Sequence, residues 1–565
     1  MRSPGKSSDV KDAPNPSPKP PSRGALKSVG LFGALSVGLL AIFTALPDLT
    51  NNIDIDLQGK LQEICMYITP APVNEPISAP TGGMRQPVVV VPELHQSATL
   101  ARTLHHVLDA FMAAGYVVKD FDTSMPLNSW DIMWSFNYPF LKNKDYFLSG
   151  EQGKLAPSQK INHFAGASWF TSKVELIRNW RLLDAVPPAF AMPADYDQFL
   201  KRAQEYPESM WVTKSAQHRG VRIISVKEAT QVVEDAKAAG ELVFLQEYIR
   251  DAYLVDGRRW DLGIYVAVTS FRPLKVYIYD DFLLRFCMKK YAGAGPNSDK
   301  DTYVIGDDYI PPWDLGNAIA HNFMRGVSAK NSLRAFIGEE KYAALTRNLR
   351  HNIVQLLRFY QPTVNSMTSK YPNGDANMFE LWRFDFVVDS SMRSWLMEVN
   401  QSPNLSPAHT RGLYKLFSRV SADLLSLVGL TQLNHTLPTV SSGETFKRAS
   451  EWTMRGHQLP PPVGEVIGAG DCNAVFPFCI STRGETGNCT AHPLCRACYS
   501  GCRTRADTDH IVLLHQEHYR RNGFRRIVPW PQEKLPANVP AVDTIIHEWI
   551  VLKCKDNPEW CLEYL

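Results

Sequence analysis

Residues 383–407, Arg383-Phe-Asp-Phe-Val-Val-Asp-Ser-Ser-Met-Arg-Ser-Trp-Leu-Met-Glu-Val-Asn-Gln-Ser-Pro-Asn-Leu-Ser-Pro407, decide the fold. Two runs rich in aromatic and β-branched residues, Phe384 to Val388 and Trp395 to Val399, flank the polar segment Asp389 to Arg393, which is the pattern of a β-hairpin. With Ser391 and Met392 at the turn, Asp385 stands directly opposite Glu398, and Asn400 shares the face of Glu398 two residues on. Like charges facing each other across a ladder destabilise it, so an apolar hairpin of this kind requires a cation between its carboxylates. Two carboxylates and an amide oxygen suit magnesium, a hard ion that favours oxygen donors, and Asp385, Glu398 and Asn400 are the candidate metal ligands. The alternative is a solvated acid pair at a sheet edge, against which the apolar neighbours argue.

Outward from the hairpin, the chain of 565 residues has room for three or four domain-sized units, and 44% apolar residues allow a large core. A net charge of +3 gives no reason to propose nucleic acid as the main partner. Residues 1–25 are rich in Pro, Ser and Lys and suit a disordered cytosolic tail. Val29 to Leu46 is a run of 18 residues without a charge, close to the roughly 20 that span a bilayer. It is assigned to a transmembrane signal anchor over 26–46, with a cleaved signal peptide or a buried helix as alternatives. Lys19, Arg23 and Lys27 precede it and Asp48, Asp54 and Asp56 follow. That asymmetry predicts a single-pass type II membrane protein whose region after the span is lumenal or extracellular. Eight of the 10 cysteines, Cys472 to Cys561, crowd the C-terminal end. They suit a disulfide framework, with zinc near Cys495 and Cys498 as the competing reading.

Between these ends the pattern is mixed α/β. A stalk over 47–86 precedes the buried run Pro87 to Val91 and a helical stretch from Leu100 to Ala114, the start of an N-terminal α/β subdomain over 87–195. A helix is expected after Thr171-Ser172. A second unit, 196–432, carries strands at Met210 to Lys214, Val221 to Ser225 and Leu242 to Tyr248, a helix at Val226 to Ala239, and a hairpin of Trp260 to Ser270 with Leu274 to Asp280. Helices at Leu315 to Arg325 and Glu339 to Tyr360 lead into the acidic hairpin, and Leu413 to Val428 closes the core. A linker over 433–462 and a Cys-rich domain over 463–565 complete the chain.

Lys214 ends an apolar strand ahead of a loop with Arg219 and Gly220, an arrangement that can lay cations and backbone amides along a polyphosphate. Gln246, Glu247, Tyr248 and Ile249 end the next strand with groups suited to an adenine edge. Asp261 sits in an apolar strand where an unpaired acid is costly, so it needs a ribose hydroxyl or an Arg as partner. Arg285, bracketed by Leu284 and Phe286, suits either a buried salt bridge or an anionic substrate.

In this order the pieces resemble the tubulin tyrosine ligase-like family of ATP-grasp ligases, over roughly residues 160 to 430. The resemblance is carried by Asn162-His-Phe164, Thr171-Ser-Lys173, Trp211-Val-Thr-Lys214 with Arg219-Gly220, and Gln246-Glu-Tyr-Ile249. Trp260-Asp-Leu-Gly-Ile-Tyr-Val266 and Phe379-Glu-Leu-Trp-Arg-Phe-Asp-Phe386 with Glu398-Val-Asn-Gln-Ser-Pro403 continue it. It implies an ATP-grasp fold in which two α+β subdomains hold ATP between antiparallel sheets. It further implies ATP and Mg2+ as cofactors, Lys214 on phosphates, Asp261 at the ribose, and catalytic roles for Arg285 and Arg259. The implied reaction adds free glutamate to a protein glutamate side chain through an acylphosphate, with an acidic protein substrate: tubulin by family, or a lumenal protein if the topology above holds. The chain departs from the family pattern where Arg222 stands at the second Gly of Arg-Gly-x-Gly-Ile and where Gly263 stands at the Arg of Lys-Phe-Asp-Leu-Arg. These departures keep open a second reading, a membrane-anchored pseudo-enzyme that acts as a binding or scaffold protein.

Overall fold

In the computed structural model, which describes residues 86–561 apart from 96, 149–153, 215–221, 240–242, 294, 296–297, 306–308, 317–319, 322–327, 407–410, 432–478, 480–490 and 499–501, three sheets follow one another along the chain. Residues from Arg85 onward cluster as one unit. The first sheet is parallel, in the order β2-β1-β3-β4, from β1 (Val88–Pro92), β2 (Val117–Phe121), β3 (Ile132–Met133) and β4 (Lys160–Ile161). The valine run that predicts a buried strand forms β1. Val89 and Val91 pack with Val107 and Phe111 of helix α1 (His105–Ala113), while Val88 and Val90 face the other core. The expected helix after Thr171 is α2 (Lys173–Arg178), capped by the Ser172 hydroxyl, which accepts from the Glu175 amide.

The second sheet is antiparallel, in the order β5-β8-β6-β7, from β5 (Ala189–Met192), β6 (Met210–Lys214), β7 (Arg222–Ser225) and β8 (Val243–Glu247). Helices α3 (Tyr196–Glu205) and α4 (Val226–Ala239) close one face, where Phe190, Phe199, Trp211, Ile224, Val233 and Leu245 make a small separate core.

The third sheet carries the site. Its order is β12-β11-β9-β10-β13, antiparallel throughout, from β9 (Trp260–Phe271), β10 (Leu274–Phe286), β11 (Glu380–Val388), β12 (Ser394–Asn400) and β13 (Phe524–Val528). Side chains alternate across β9 as strand geometry requires. Leu262, Ile264, Val266 and Val268 face the core that includes helix α5 (Glu339–Thr368). Tyr265 and Ala267 face the core closed by helix α6 (Arg411–Leu427). The acidic hairpin has the expected Asp385–Glu398 pair, and a bulge next to it moves the turn, so that Val388 pairs with Ser394. Asp389 organises that turn by accepting from the Ser391 and Arg393 amides at 2.9 and 3.0 Å.

α5 runs eight residues past the expected end at Tyr360, through Pro362, because Val364 and Thr368 stay buried. The expected helix at Leu315 to Arg325 falls largely outside the described residues, as do the 433–462 linker and the tail, anchor and stalk before residue 86. At the C-terminal end, helices α7 (Arg505–Arg520) and α8 (Ala541–Asp556) flank β13, which pairs with the open edge of β10. Lys275 of β10, fully buried, donates to Glu517 at 2.7 Å, and the Tyr277 hydroxyl donates to the same carboxylate at 2.7 Å. Arg358 of α5 holds Glu533 at 2.8 Å and Asp543 at 2.5 Å. The C-terminal segment is therefore built into the sheet and its covering helices. Disulfides join Cys479 to Cys495 and Cys554 to Cys561, and Cys498 and Cys502 are also disulfide-bonded. The sulfurs of Cys495 and Cys498 are thus engaged in disulfides, and the zinc reading of that pair falls.

Candidate functional site

At the Asp261 end of β9, the face that carries Tyr265 turns polar. Asp261 and Gly263 continue that face by period two, Arg285 is the cross-strand partner of Asp261, and Asp385 is the partner of Gly263. Arg383 lies two residues from Asp385 and so shares its face, and Glu398 and Asn400 stand opposite this pair on β12. Four strands of one sheet therefore deliver three acids and two guanidiniums to one spot.

The contacts are short and interlocked. Arg285 donates to both oxygens of Asp261, Nε to Oδ1 at 2.9 Å and Nη2 to Oδ2 at 2.7 Å, and the same Nη2 reaches Asp385 Oδ2 at 2.9 Å. Arg383 grips Asp385 in a fork, Nε to Oδ1 at 2.7 Å and Nη2 to Oδ2 at 2.8 Å. The Asn400 amide donates to Asp385 Oδ2 at 3.0 Å and to Glu398 Oε1 at 3.2 Å. Glu398 is the open member: its side chain is 26% exposed, against 3% for Asp385, and it meets Lys173 Nζ of α2 at 2.5 Å. Burial pushes the Asp261 carboxyl up to about 6, against the pull of Arg285. For Asp385 burial acts in the same upward direction, but the Arg383 and Arg285 guanidiniums together outweigh it and hold the acid below its ordinary range.

The other expected site residues lie on the second sheet and the chain that leaves it. Lys214 ends β6 in register with Phe244 of β8, and Arg219 and Gly220 lie outside the described residues. Gln246 is buried, with its amide donating to the Pro187 carbonyl at 3.4 Å. Glu247 accepts from Arg202 at 2.9 and 3.1 Å. Arg259 is turned onto this segment: Nη1 donates to the Ile249 carbonyl at 2.7 Å, and the guanidinium lies over the rings of Tyr248 and Tyr291 at 4.6 and 5.3 Å. The Asn162-His163 motif serves the scaffold. His163 bridges Glu380 at 2.7 Å and the Ser135 carbonyl at 2.8 Å, fully buried, which ties β4 to β11.

The three expected metal ligands thus converge, yet as placed they do not fit magnesium as a set. Both oxygens of Asp385 are taken by guanidinium groups and the Asn400 amide turns its nitrogen inward. Among the described residues no group of three or more His, Cys, Asp or Glu is placed to hold a metal ion. Two members of the cluster had gone unassigned in the sequence. Arg383 carried a usable signal, since any residue two positions from Asp385 in a strand shares its face. Lys173 belongs to the Thr171-Ser-Lys173 motif, but strand periodicity cannot place it beside Glu398, because it comes from a helix far away in sequence.

A family model described as the tubulin-tyrosine ligase family matches residues 152–437. Over 481 residues the chain is 30% identical to the probable tubulin polyglutamylase ttll-15 of Caenorhabditis elegans, covering 84% of this chain and 87% of the relative. It is 25% identical to the tubulin monoglutamylase TTLL4 of Homo sapiens, over 49% of this chain and 24% of the relative. It is 24% identical to the tubulin polyglutamylase TTLL5 of Mus musculus, over 78% of this chain and 32% of the relative, so it spans only a quarter to a third of these two longer proteins. Among the described residues no helix is long and apolar enough to cross a membrane. These relatives, named for modifying tubulin, overturn the expected lumenal or extracellular placement, and the expected span over 26–46 lies outside the described residues.

Proposed function

The chain belongs to the tubulin-tyrosine ligase family, and from that premise we propose that it is an ATP-dependent carboxylate–amine ligase that adds glutamate to glutamate side chains of an acidic protein. The observation that carries this reading is the charged cluster of Asp261, Arg285, Asp385 and Glu398 at one end of an antiparallel sheet, with a second antiparallel sheet ending in Lys214 and Gln246–Ile249. Tubulin is the substrate that the relatives' names suggest.

In the proposed reaction an acceptor carboxylate oxygen attacks the γ-phosphorus of ATP, the bond to the bridging oxygen breaks, and ADP leaves. The resulting acylphosphate is attacked at carbon by the amine of glutamate; inorganic phosphate departs, and the amine proton passes to solvent. Most of the rate gain in such transfers comes from positioning and from fixed positive charge near the phosphoryl oxygens. Arg285 supplies that charge. Asp261, neutralised by Arg285, keeps its carboxylate at the ribose end, and Arg259 acts as a positioning residue by fixing the Ile249 carbonyl and the Tyr248 ring.

The test is mass spectrometry of tubulin incubated with the full chain, ATP and isotope-labelled glutamate. Labelled glutamate on tubulin tails with wild type, lost with Arg285→Ala, supports the ligase. A binding protein that keeps the fold without ligation is the second reading, favoured by the grip of two guanidiniums on Asp385, and it predicts no label on any acidic acceptor although ATP binds.

A further inference from the structure

Gly263 interrupts a strand of bulky residues, and the reason lies across the ladder. A Cβ at this position would stand 2.8 Å from Arg383 Cδ, 3.2 Å from Arg383 Nε and 3.2 Å from Leu283 Cβ. The stem of Arg383 is laid over the bare glycine, and along that path its fork meets Asp385. An ionised carboxylate offers about four lone-pair sites. Arg383 Nε takes one site on Oδ1 at 2.7 Å, and Arg383 Nη2, Arg285 Nη2 and Asn400 Nδ2 crowd Oδ2 at 2.8 to 3.0 Å.

The charge balance agrees. Asp261 and Asp385 face Arg285, Asp385 faces Arg383, and Glu398 faces Lys173, so three acids meet three cations before any ion arrives. A divalent ion at Asp385 Oδ2 would have to displace two guanidiniums, and one at the remaining Oδ1 site would stand against the charge of Arg383. Arg383 is 9% exposed at its side chain and cannot shed its proton, so it would be left charged, buried and unpaired.

We propose that Arg383, seated over Gly263, is a resident cation that takes the place of a divalent ion at Asp385, so that this site binds nucleotide with little dependence on divalent metal. The proposal rests on the ligase reading in one respect, that ATP binds at this cluster.

Calorimetric titration of the full chain with ATP, in magnesium and in EDTA, tests it. For wild type the expected affinity changes by less than about threefold between the two conditions. Arg383→Ala is expected to lose about tenfold or more in EDTA and to regain it in magnesium, because a freed Asp385 can then hold the ion. Gly263→Ala keeps every charge but pushes the Arg383 stem aside, and it is expected to acquire the same magnesium dependence. It carries the test alone should thermal melts show that Arg383→Ala does not fold. Wild-type binding that disappears in EDTA overturns the proposal and leaves the ligase reading standing. Equal magnesium response in wild type and Gly263→Ala also overturns it. A folded wild type that binds no ATP in either condition overturns both.

Discussion

Asp261 and Glu398 belong to one cluster but answer to different physics. Asp261 is nine-tenths buried and shares both oxygens with Arg285, so Asp261→Ala leaves a buried guanidinium with half its counter-charge. The expected cost is about 3 kcal/mol, read from urea unfolding. Glu398→Gln removes only a partly exposed pair with Lys173, so its expected effect on stability is below about 1 kcal/mol. A loss near that of Asp261→Ala would show that Glu398 is held far more tightly than its exposure implies. The facing of Asp385 and Glu398 was legible in the sequence because a short hairpin fixes its own register through its turn. The fork of Arg383 on Asp385 was not, because it depends on Gly263 in a third strand, more than a hundred residues earlier.

β13 is the element that the sequence concealed. Phe524-Arg-Arg-Ile-Val528 holds two adjacent arginines, which suggests a surface loop, yet Phe524, Ile527 and Val528 are buried on the edge of β10. The arginines are tolerated because neighbouring groups absorb them: Arg525 reaches Asp280 at 3.4 Å and Arg526 lies over the Trp560 ring. Strands β9 and β11, by contrast, were plain from their apolar runs, and the bounds of α4 followed from its periodicity. Glu517→Ala would leave Lys275, fully buried, without its carboxylate. The expected loss is about 3–5 kcal/mol by denaturant unfolding, and a loss under 1 kcal/mol would mean that solvent reaches the lysine.

Taken as a whole, the protein has an acid limit set outside its charged cluster. His515 and His518 of α7 are buried, and burial, with Lys553 and Arg526 beside His515 and Arg526 and Arg521 beside His518, holds both imidazoles neutral, His515 down to about 3. The unfolded chain binds these protons near pH 6.5 and the folded chain does not, so stability is complete above that pH and falls as pH drops below it. The expected loss is about 2 kcal/mol for each imidazole by pH 5, seen as a falling melting temperature that His515→Gln partly flattens. A melting temperature constant from pH 7 to 5 would contradict the burial of both rings. The pairing of β13 with β10 reaches further than stability. A ribosome releases the partner of Val276 only some 250 residues after Val276 itself, so the nascent chain emerges with one sheet edge bare and the Lys275 ammonium unmatched. Completion of this sheet then waits until residue 528 has been made, and a premature stop codon before residue 517 removes both the edge strand and the counter-charge of Lys275 rather than a dispensable tail.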